Sequence, residues 1–373
     1  MRTDGAGIYI HAPFCVRKCA YCDFYSIPMG KAPPRYADAL AREAGLAAER
    51  FGRLDVRTIY IGGGTPSLLE PDEMERIIRA VRNEFDVADG CETTVEANPG
   101  TVSADKLNAY ARAGVNRLSV GVQASQERLL GILGRIHRWD DAERAIRAAR
   151  DAGIDNLSID LIYAIPSQTL DDWRETLDRA VGLGVRHVSC YELTLEPGTP
   201  MNEQYSPVDE SISLDMRREA ERVLSGAGIL RYEISNYAQP NCISKHNEGY
   251  WMRRPYLGFG PGAHSQFGSE RFANPASLDG WLDCIGSGKP AWTVTETLTP
   301  SDAMFESMML GLRMVRGVSL PAFQREHGAS PLTLWQAELD GMRSAGWMDW
   351  DGQRLWLTPL GLDVHSAVCR RLC

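Results

Sequence analysis

A chain of 373 residues, 44% hydrophobic and 24% charged with a net charge of −9, is long enough for one large α/β domain and a smaller one. The acidic balance argues against nonspecific nucleic-acid binding. No apolar run reaches the length of a membrane span and no basic, apolar leader stands at the start, so a cytoplasmic protein with no transmembrane segment is expected.

Through the first two thirds, short β-branched runs alternate with amphipathic helical runs. Strands are expected at Gly7–Ala12, Val56–Ile61, Glu92–Ala97, Arg117–Val122, Leu157–Ile162 and Arg186–Glu192, with a seventh at Leu230–Ile234. Helices are expected at Arg35–Arg50, Pro71–Glu84, Ala104–Ala113, Trp139–Ala152, Leu170–Leu183 and Ile212–Gly226. The second of these shows the pattern plainly, with Met74, Ile77, Ile78, Val81 and Phe85 at helical spacing behind Pro71 and Asp72. Regular βα repetition implies parallel strands, here an incomplete (β/α)6 barrel over residues 1–235, with a doubly wound open sheet as the alternative. In a barrel, functional groups collect at the C-terminal ends of the strands.

The first strand runs into HAPFCVRKCAYCDFYS, where Cys15, Cys19 and Cys22 are separated by three and two residues. Three thiolates on one short loop can hold three irons of a [4Fe-4S] cluster and leave the fourth iron open. An open metal position can take a ligand, as an open zinc position takes water. A structural zinc site with His11 as the fourth ligand is the rival reading, although zinc sites usually show two separated ligand pairs. A disulfide framework does not suit an odd count of 9 Cys scattered along the chain. The second strand ends in Gly62-Gly63-Gly64-Thr65-Pro66, where backbone can approach a ligand closely. An ordinary βα turn would read the same way in isolation. Glu96 and Asn98 end the third strand, Gln123 ends the fourth, Asp160 lies in the fifth, and Tyr191 to Thr194 end the sixth.

Beyond about residue 236 the alternation stops. Residues 236–298, rich in Gly, Pro, Asn and aromatics, read as a long structured loop connecting two units. Residues 299–373 read as a smaller, mainly α, winged-helix-like unit with helices at Ser301–Arg313, Leu320–His327 and Leu332–Ala345 and strands at Met348–Trp350 and Arg354–Leu357. It lacks a concentrated basic face, which favours a lid or interaction role over DNA binding.

Taken in order, CVRKCAYC, GGGTPS, EANPGT, LSVGVQASQERLLGILGRIH and DLIYAIPSQT resemble the oxygen-independent coproporphyrinogen III oxidase-like family of radical S-adenosylmethionine (SAM) proteins. The resemblance runs from about Ile8 to the C-terminus. It implies the partial barrel, a [4Fe-4S] cluster on Cys15, Cys19 and Cys22, SAM chelated at the open iron, and an electron donor such as flavodoxin or ferredoxin. It further implies that Tyr9, Gly63, Glu96 and Phe259 contact one SAM, and that Tyr21, Gly64, Thr65, Gln123, Arg135, Asp160 and Thr194 contact a second. Oxidases of the family carry a fourth cysteine two residues after the third, and a long N-terminal arm. Here Phe24 occupies that cysteine position and the first strand begins a few residues into the chain, so coproporphyrinogen oxidation is not expected. The run His246-Asn247-Glu248-Gly249-Tyr250-Trp251 is similar to the HNxxYW signature of the family's heme-chaperone branch. That implies heme as a ligand near His246, Asn247, Tyr250 and Trp251, with acceptor hemoproteins as partners. Imidazole can ligate heme iron and aromatic rings can cover a porphyrin. The alternative is that Tyr250 and Trp251 anchor the segment on the barrel and His246 is a hydrogen-bonding residue. The alternative is a radical SAM enzyme of the same family, either an oxygen-independent coproporphyrinogen III oxidase or a two-SAM methyltransferase.

Overall fold

The structure is a computed structural model and describes residues 5–373, so the first four residues of the expected 1–235 barrel lie outside it. Six strands lie side by side in chain order, each pair parallel: β1 (Ala6–Ala12), β2 (Asp55–Gly63), β3 (Asp86–Ala97), β4 (Arg117–Gln123), β5 (Asn156–Tyr163) and β6 (His187–Glu192). The helices between them are α1 (Tyr36–Phe51), α2 (Pro71–Glu84), α3 (Ala104–Ala113), α4 (Glu127–Leu133), α5 (Trp139–Asp151) and α6 (Leu170–Gly182). After β6 come α7 (Pro200–Gln204) and α8 (Glu210–Gly226). This is the mixed α/β, partial-barrel core that the alternation implies. Helix α2 starts with Pro71 behind a Glu70 N–H that donates to the Glu73 carboxylate at 2.8 Å, and it buries Met74, Ile77, Ile78 and Val81.

The alternation within each strand divides the sheet into two chemistries. Ile8, Ile10, Ile59, Ile61, Val95, Leu118, Val120, Ile159, Leu161 and Val188 belong to the main hydrophobic core. The intervening positions carry Tyr60, Glu96, Ser119, Gln123, Asp160 and Ser189, all on the wall of one cavity. Strands of a parallel sheet are usually apolar on both faces. A polar second face therefore marks an interior built for a ligand.

The segment 236–298, expected as a long loop, instead extends this sheet on both edges. Short strands β7 (Leu230–Arg231) and β8 (Asn236–Ala238) follow β6, with β8 antiparallel to it. Then α9 (Lys245–Trp251) leads to β9 (Tyr256–Phe259), which pairs in parallel with the free edge of β1. Strands β10 (His264–Phe267), β11 (Glu270–Ala273) and β12 (Thr293–Thr297) continue as an antiparallel meander, with α10 (Leu278–Gly286) between the last two. The sheet order is β12-β11-β10-β9-β1-β2-β3-β4-β5-β6-β8-β7. Strands β8 to β12 are three to five residues long, so they carry no readable period. Gly258 is required, because a Cβ there would strike the His264 carbonyl.

The C-terminal part has its own core, including Met308, Leu312, Phe323, Leu339, Met342, Leu355 and Val368. It contains α11 (Pro300–Gly311), α12 (Leu320–His327), α13 (Pro331–Leu334) and α14 (Gln336–Ser344). Its small sheet runs β13 (Val318–Ser319), β15 (Arg354–Leu357), β14 (Met348–Trp350) in spatial order. The single helix expected at 332–345 is divided at Trp335, which lies between α13 and α14. Among the described residues no helix is long and apolar enough to cross a membrane.

Candidate active site

The cysteine loop leaves β1 and is tied down on several sides. Gly64 N–H donates to Ala12 O at 2.9 Å and Thr65 N–H to Phe14 O at 2.7 Å, joining the glycine turn to the loop. On the far side Ala20 N–H donates to Leu133 O at 3.2 Å. A Cβ on Gly64 would come within 2.7 Å of the Pro13 carbonyl carbon. Glycine at this position is thus demanded by the neighbouring backbone of the loop.

Cys15, Cys19 and Cys22 all line a cavity of about 440 Å³ at the C-terminal ends of the strands. Burial pushes the Cys15 and Cys22 thiols up, so binding iron would have to displace their protons. The zinc alternative needs His11, but both its ring nitrogens are occupied: Nδ1 by Tyr9 OH at 2.9 Å and Nε2 by Tyr25 O at 2.8 Å. His11 supports the glycine turn, since a Cβ on Gly63 would meet its ring at 2.7 Å.

Tyr21, Gly63, Gly64, Thr65, Glu96, Gln123, Arg135, Asp160 and Thr194 line the same cavity as the three cysteines. A hydrogen-bonded chain runs through them. Thr65 Oγ1 donates to Cys15 Sγ at 3.7 Å and accepts from Asn98 Nδ2 at 2.9 Å. Arg135 donates to Asn98 Oδ1 and to Tyr21 OH, both at 2.7 Å. A Cβ on Gly121 would meet Gln123 Nε2 at 2.8 Å, Arg135 at 3.4 Å and Asn98 Oδ1 at 3.5 Å, so these groups converge above that glycine. Gln123 takes a positive φ of 69° at a break in the β4–β5 register. Such strain in a non-glycine residue is what functional sites tolerate. Asn98 was the unassigned member: it follows the strand ending in Glu96, and only the fold shows that it bridges Thr65 and Arg135.

Glu96 accepts from Tyr60 OH at 2.7 Å and from Gly63 N–H at 3.1 Å. Burial pushes its carboxyl up to about 7, with the Asp160 charge adding to the rise. Asp160 is also raised by burial and accepts from Ser119 Oγ at 3.2 Å. Arg117, buried at the start of β4, lines the cavity too. Two expected contacts stand outside that lining. The Phe259 side chain is buried in the main core and stacks on Phe85 at 6.2 Å, and Tyr9 lies behind the wall, against His11 and Tyr60.

The HNxxYW run forms α9, and its residues part company. His246 is 3% exposed, with Nδ1 on Thr58 Oγ1 and Nε2 on Tyr250 OH, both at 2.8 Å. Its ring stacks on Tyr60 at 5.1 Å, and burial holds its pKa down to about 3. A neutral imidazole has one N–H and one lone pair, and both are used, so in this arrangement His246 is an anchor and has no lone pair to offer iron. Gly7 is small to admit it: a Cβ there would meet the ring at 3.1 Å. Tyr250 packs edge-on against Tyr256, and the Trp251 ring lies under the Arg313 guanidinium at 4.3 Å. Glu248 pairs with Arg316 at 2.9 Å. Of the run, only Asn247 lines the cavity. The helix is a joint between the barrel and the C-terminal part.

The residues present fit an iron–sulfur cluster and SAM: three thiols line one cavity together with buried donors and carboxylates. Comparison with known proteins agrees. Residues 9–180 match the radical SAM superfamily, and residues 298–364 match the HemN C-terminal domain. The chain is 36% identical over 364 residues to a protein of Synechocystis named heme chaperone HemW, covering 92% of this chain and 86% of that one. The HemW of Bacillus subtilis is 34% identical over 375 residues, 96% and 97% of the two chains, and that of Escherichia coli 40% over 263 residues, 69% of each. The coproporphyrinogen III oxidase HemN of Escherichia coli superposes with a TM-score of 0.86 over 99% of this chain and 90% of that one, at 22% identity, a likeness of fold.

Proposed function

This chain belongs to the HemW family of radical SAM proteins, and on that premise we propose that it is a heme chaperone, binding a [4Fe-4S] cluster, SAM and heme and delivering heme to acceptor hemoproteins. The observation that carries the reading is similarity to heme chaperones over nearly the whole chain, at 36% identity across 364 residues in one case. Phe24, where oxidases of the wider family have a fourth cysteine, points the same way.

Cys15, Cys19 and Cys22 would hold the cluster, with Thr65 steadying the Cys15 sulfur through its hydroxyl. The Gly63–Thr65 turn, Glu96, Gln123, Arg135, Asp160, Thr194 and Tyr21 would surround SAM. A cluster held there would supply the electron for SAM chemistry. The protein's own groups orient and neutralise. Glu96 offers a carboxylate to an ammonium, and Arg135, held by Asn98 and Tyr21, offers a fixed fork to a carboxylate. Cys15 is buried, and Cys19 and Cys22 are half-buried on the cavity wall. An acidic electron donor of the flavodoxin or ferredoxin class would reduce the cluster.

The test is anaerobic reconstitution, heme titration, and transfer from the loaded protein to an apo-hemoprotein, alongside an assay with coproporphyrinogen III. Heme binding and transfer without protoporphyrinogen formation are expected. Multiple turnovers of coproporphyrinogen III, or no heme binding, would overturn the reading.

A further inference from the structure

With His246 closed to iron, the expected heme site at HNxxYW loses its ligand, and the remaining surface must be asked what could take a large flat ring. Phe24 answers first. It is 64% exposed, among the most exposed large apolar side chains of the described residues, yet it lines the mouth of the cavity. It has no aromatic partner within the protein's ring contacts among the described residues. Val16 and Met29, on the same loop, are 52% and 47% exposed. Each directly follows one of the paired segments Phe14–Cys15 and Ile27–Pro28. Tyr191, 41% exposed, lines the same cavity from β6, at the other end of the parallel series. Exposed apolar side chains at a cavity mouth, here Phe24 and Tyr191, mark a binding surface.

Charge distinguishes what would bind there. The protein is acidic overall, but residues 16–24 carry Arg17 and Lys18 against Asp23 alone. Both cations line the mouth, and neither is paired with an acidic side chain among the described residues. Lys18 Nζ donates to the Phe24 carbonyl at 3.3 Å, so one cation is held beside the aromatic. An apolar face flanked by two cations that have no acidic partner among the described residues suits a planar apolar ring with two carboxylates.

Resting on the heme-chaperone reading, we propose that heme docks at the cavity mouth on the cysteine loop, its ring on Phe24 with Tyr191 across the opening, and its propionates on Arg17 and Lys18. The substitution of Phe24 for a thiol then has a use beyond its absence from iron chemistry. It puts an aromatic platform over the cluster and SAM cavity. Heme seated there closes the mouth, so the contents of the cavity and the hold on heme are linked by contact.

The experiment is heme titration of the full chain with reconstituted cluster and SAM, iron and sulfide content matched between variants. Phe24→Ala is expected to weaken heme binding at least tenfold and Phe24→Trp to stay within about threefold of wild type, since a larger ring restores stacking. Arg17→Gln with Lys18→Gln should weaken binding of heme but leave heme dimethyl ester, whose propionates are uncharged, unaffected. Unchanged affinity in Phe24→Ala would overturn the proposal while leaving the chaperone reading intact. Equal losses for heme and its ester in the double variant would overturn the propionate assignment. A wild-type protein that binds no heme would overturn the chaperone reading itself, and this proposal with it.

Discussion

The two motifs that stand out most in this chain, the cysteine loop and HNxxYW, are opposite in structure. The backbone of the cysteine loop is pinned while several of its side chains are open: Val16, Phe24 and Met29 are exposed, and Arg17 and Lys18 stand without acidic partners among the described residues. Helix α9 is pinned by most of its side chains. His246, Glu248 and Trp251 each engage another element, and only Asn247 lines the cavity. Both runs look equally rich in chemistry as strings of residues. The difference lies in satisfaction: a group whose donors and acceptors are used internally holds the fold, and one left open is available to a ligand.

The largest test of that contrast is on the open side. Cys19→Ala should abolish the oxygen-sensitive cluster while leaving the fold in place, because the half-buried Cys19 thiol makes no side-chain hydrogen bond among the described residues and losing its thiolate would expose a second iron. Iron and sulfide analysis with anaerobic electron paramagnetic resonance reads the outcome, and circular dichroism the fold. A normal four-iron signal in the variant would remove the cluster assignment.

Gly64→Val should be nearly as severe, and for a reason that only the structure supplies. Glycine there suggests close approach of SAM, which alone would predict lost SAM binding with the cluster retained. The Cβ direction points at Pro13 and Phe14 instead, with clearances of 2.7 and 2.8 Å to backbone atoms. The valine must push the start of the cysteine loop off the glycine turn. Cluster content should therefore fall together with SAM affinity. A variant that keeps a full cluster and loses SAM alone would show that the loop can yield and that the ligand sets the need for glycine.

Much of this was legible in residues. The six parallel strands could be read because each combines β-branched residues with a helix of clear period behind it. The strand ends could be read as a site because polar residues such as Glu96 and Gln123 interrupt apolar runs there. The β9–β12 extension could not, since four-residue strands such as YLGF acquire their conformation from pairing with β1, a contact some 250 residues distant in sequence. Nor could the fate of His246. Nothing local to KHNEGYW says that Thr58, on β2, takes one ring nitrogen and that Tyr250 turns back onto the other. A histidine beside Tyr and Trp reads as a ligand until its partners are known.

His246→Ala presses on the closed side. It removes two buried hydrogen bonds and a stacking contact, and leaves the Thr58 and Tyr250 hydroxyls to find new partners. The loss should be about 2–6 kcal/mol of stability, since each of the two orphaned buried groups costs about 1–3 kcal/mol. Denaturant unfolding of wild type and variant measures it. The absorption spectrum of bound heme should not change, because the imidazole is an anchor. A shifted Soret band at unchanged stability would reverse the assignment and make His246 a ligand. pH gives a second reading. The folded-state pKa of about 3 lies below the usual 6.5, so this group's stabilising contribution is present above pH 6.5 and is lost as pH falls from there towards 3. The alanine variant should lack that part of the acid sensitivity.

The smallest expected effect concerns Glu96, where burial and function pull against each other. In the folded protein its carboxyl titrates near 7, raised from the usual 4.5 chiefly by burial. A raised carboxyl favours the protonated form on folding, so the group's contribution to stability is full below about 4.5 and is lost as pH rises through 7. A ligand ammonium beside it has the reverse preference and draws out the ionised carboxylate. SAM affinity should therefore climb as pH rises towards 7 and level off above it. The climb approaches about tenfold per pH unit if only the carboxylate binds. Isothermal titration of the reconstituted protein between pH 6 and 8 would show a modest slope. Glu96→Gln should bind more weakly at pH 8 and respond little to pH, because an amide offers Tyr60 and Gly63 an acceptor but cannot ionise. If wild type and Glu96→Gln gave the same pH profile, the ammonium would have to be held elsewhere. Asp160, raised in the same way by burial and accepting from Ser119, would be the next carboxylate to test.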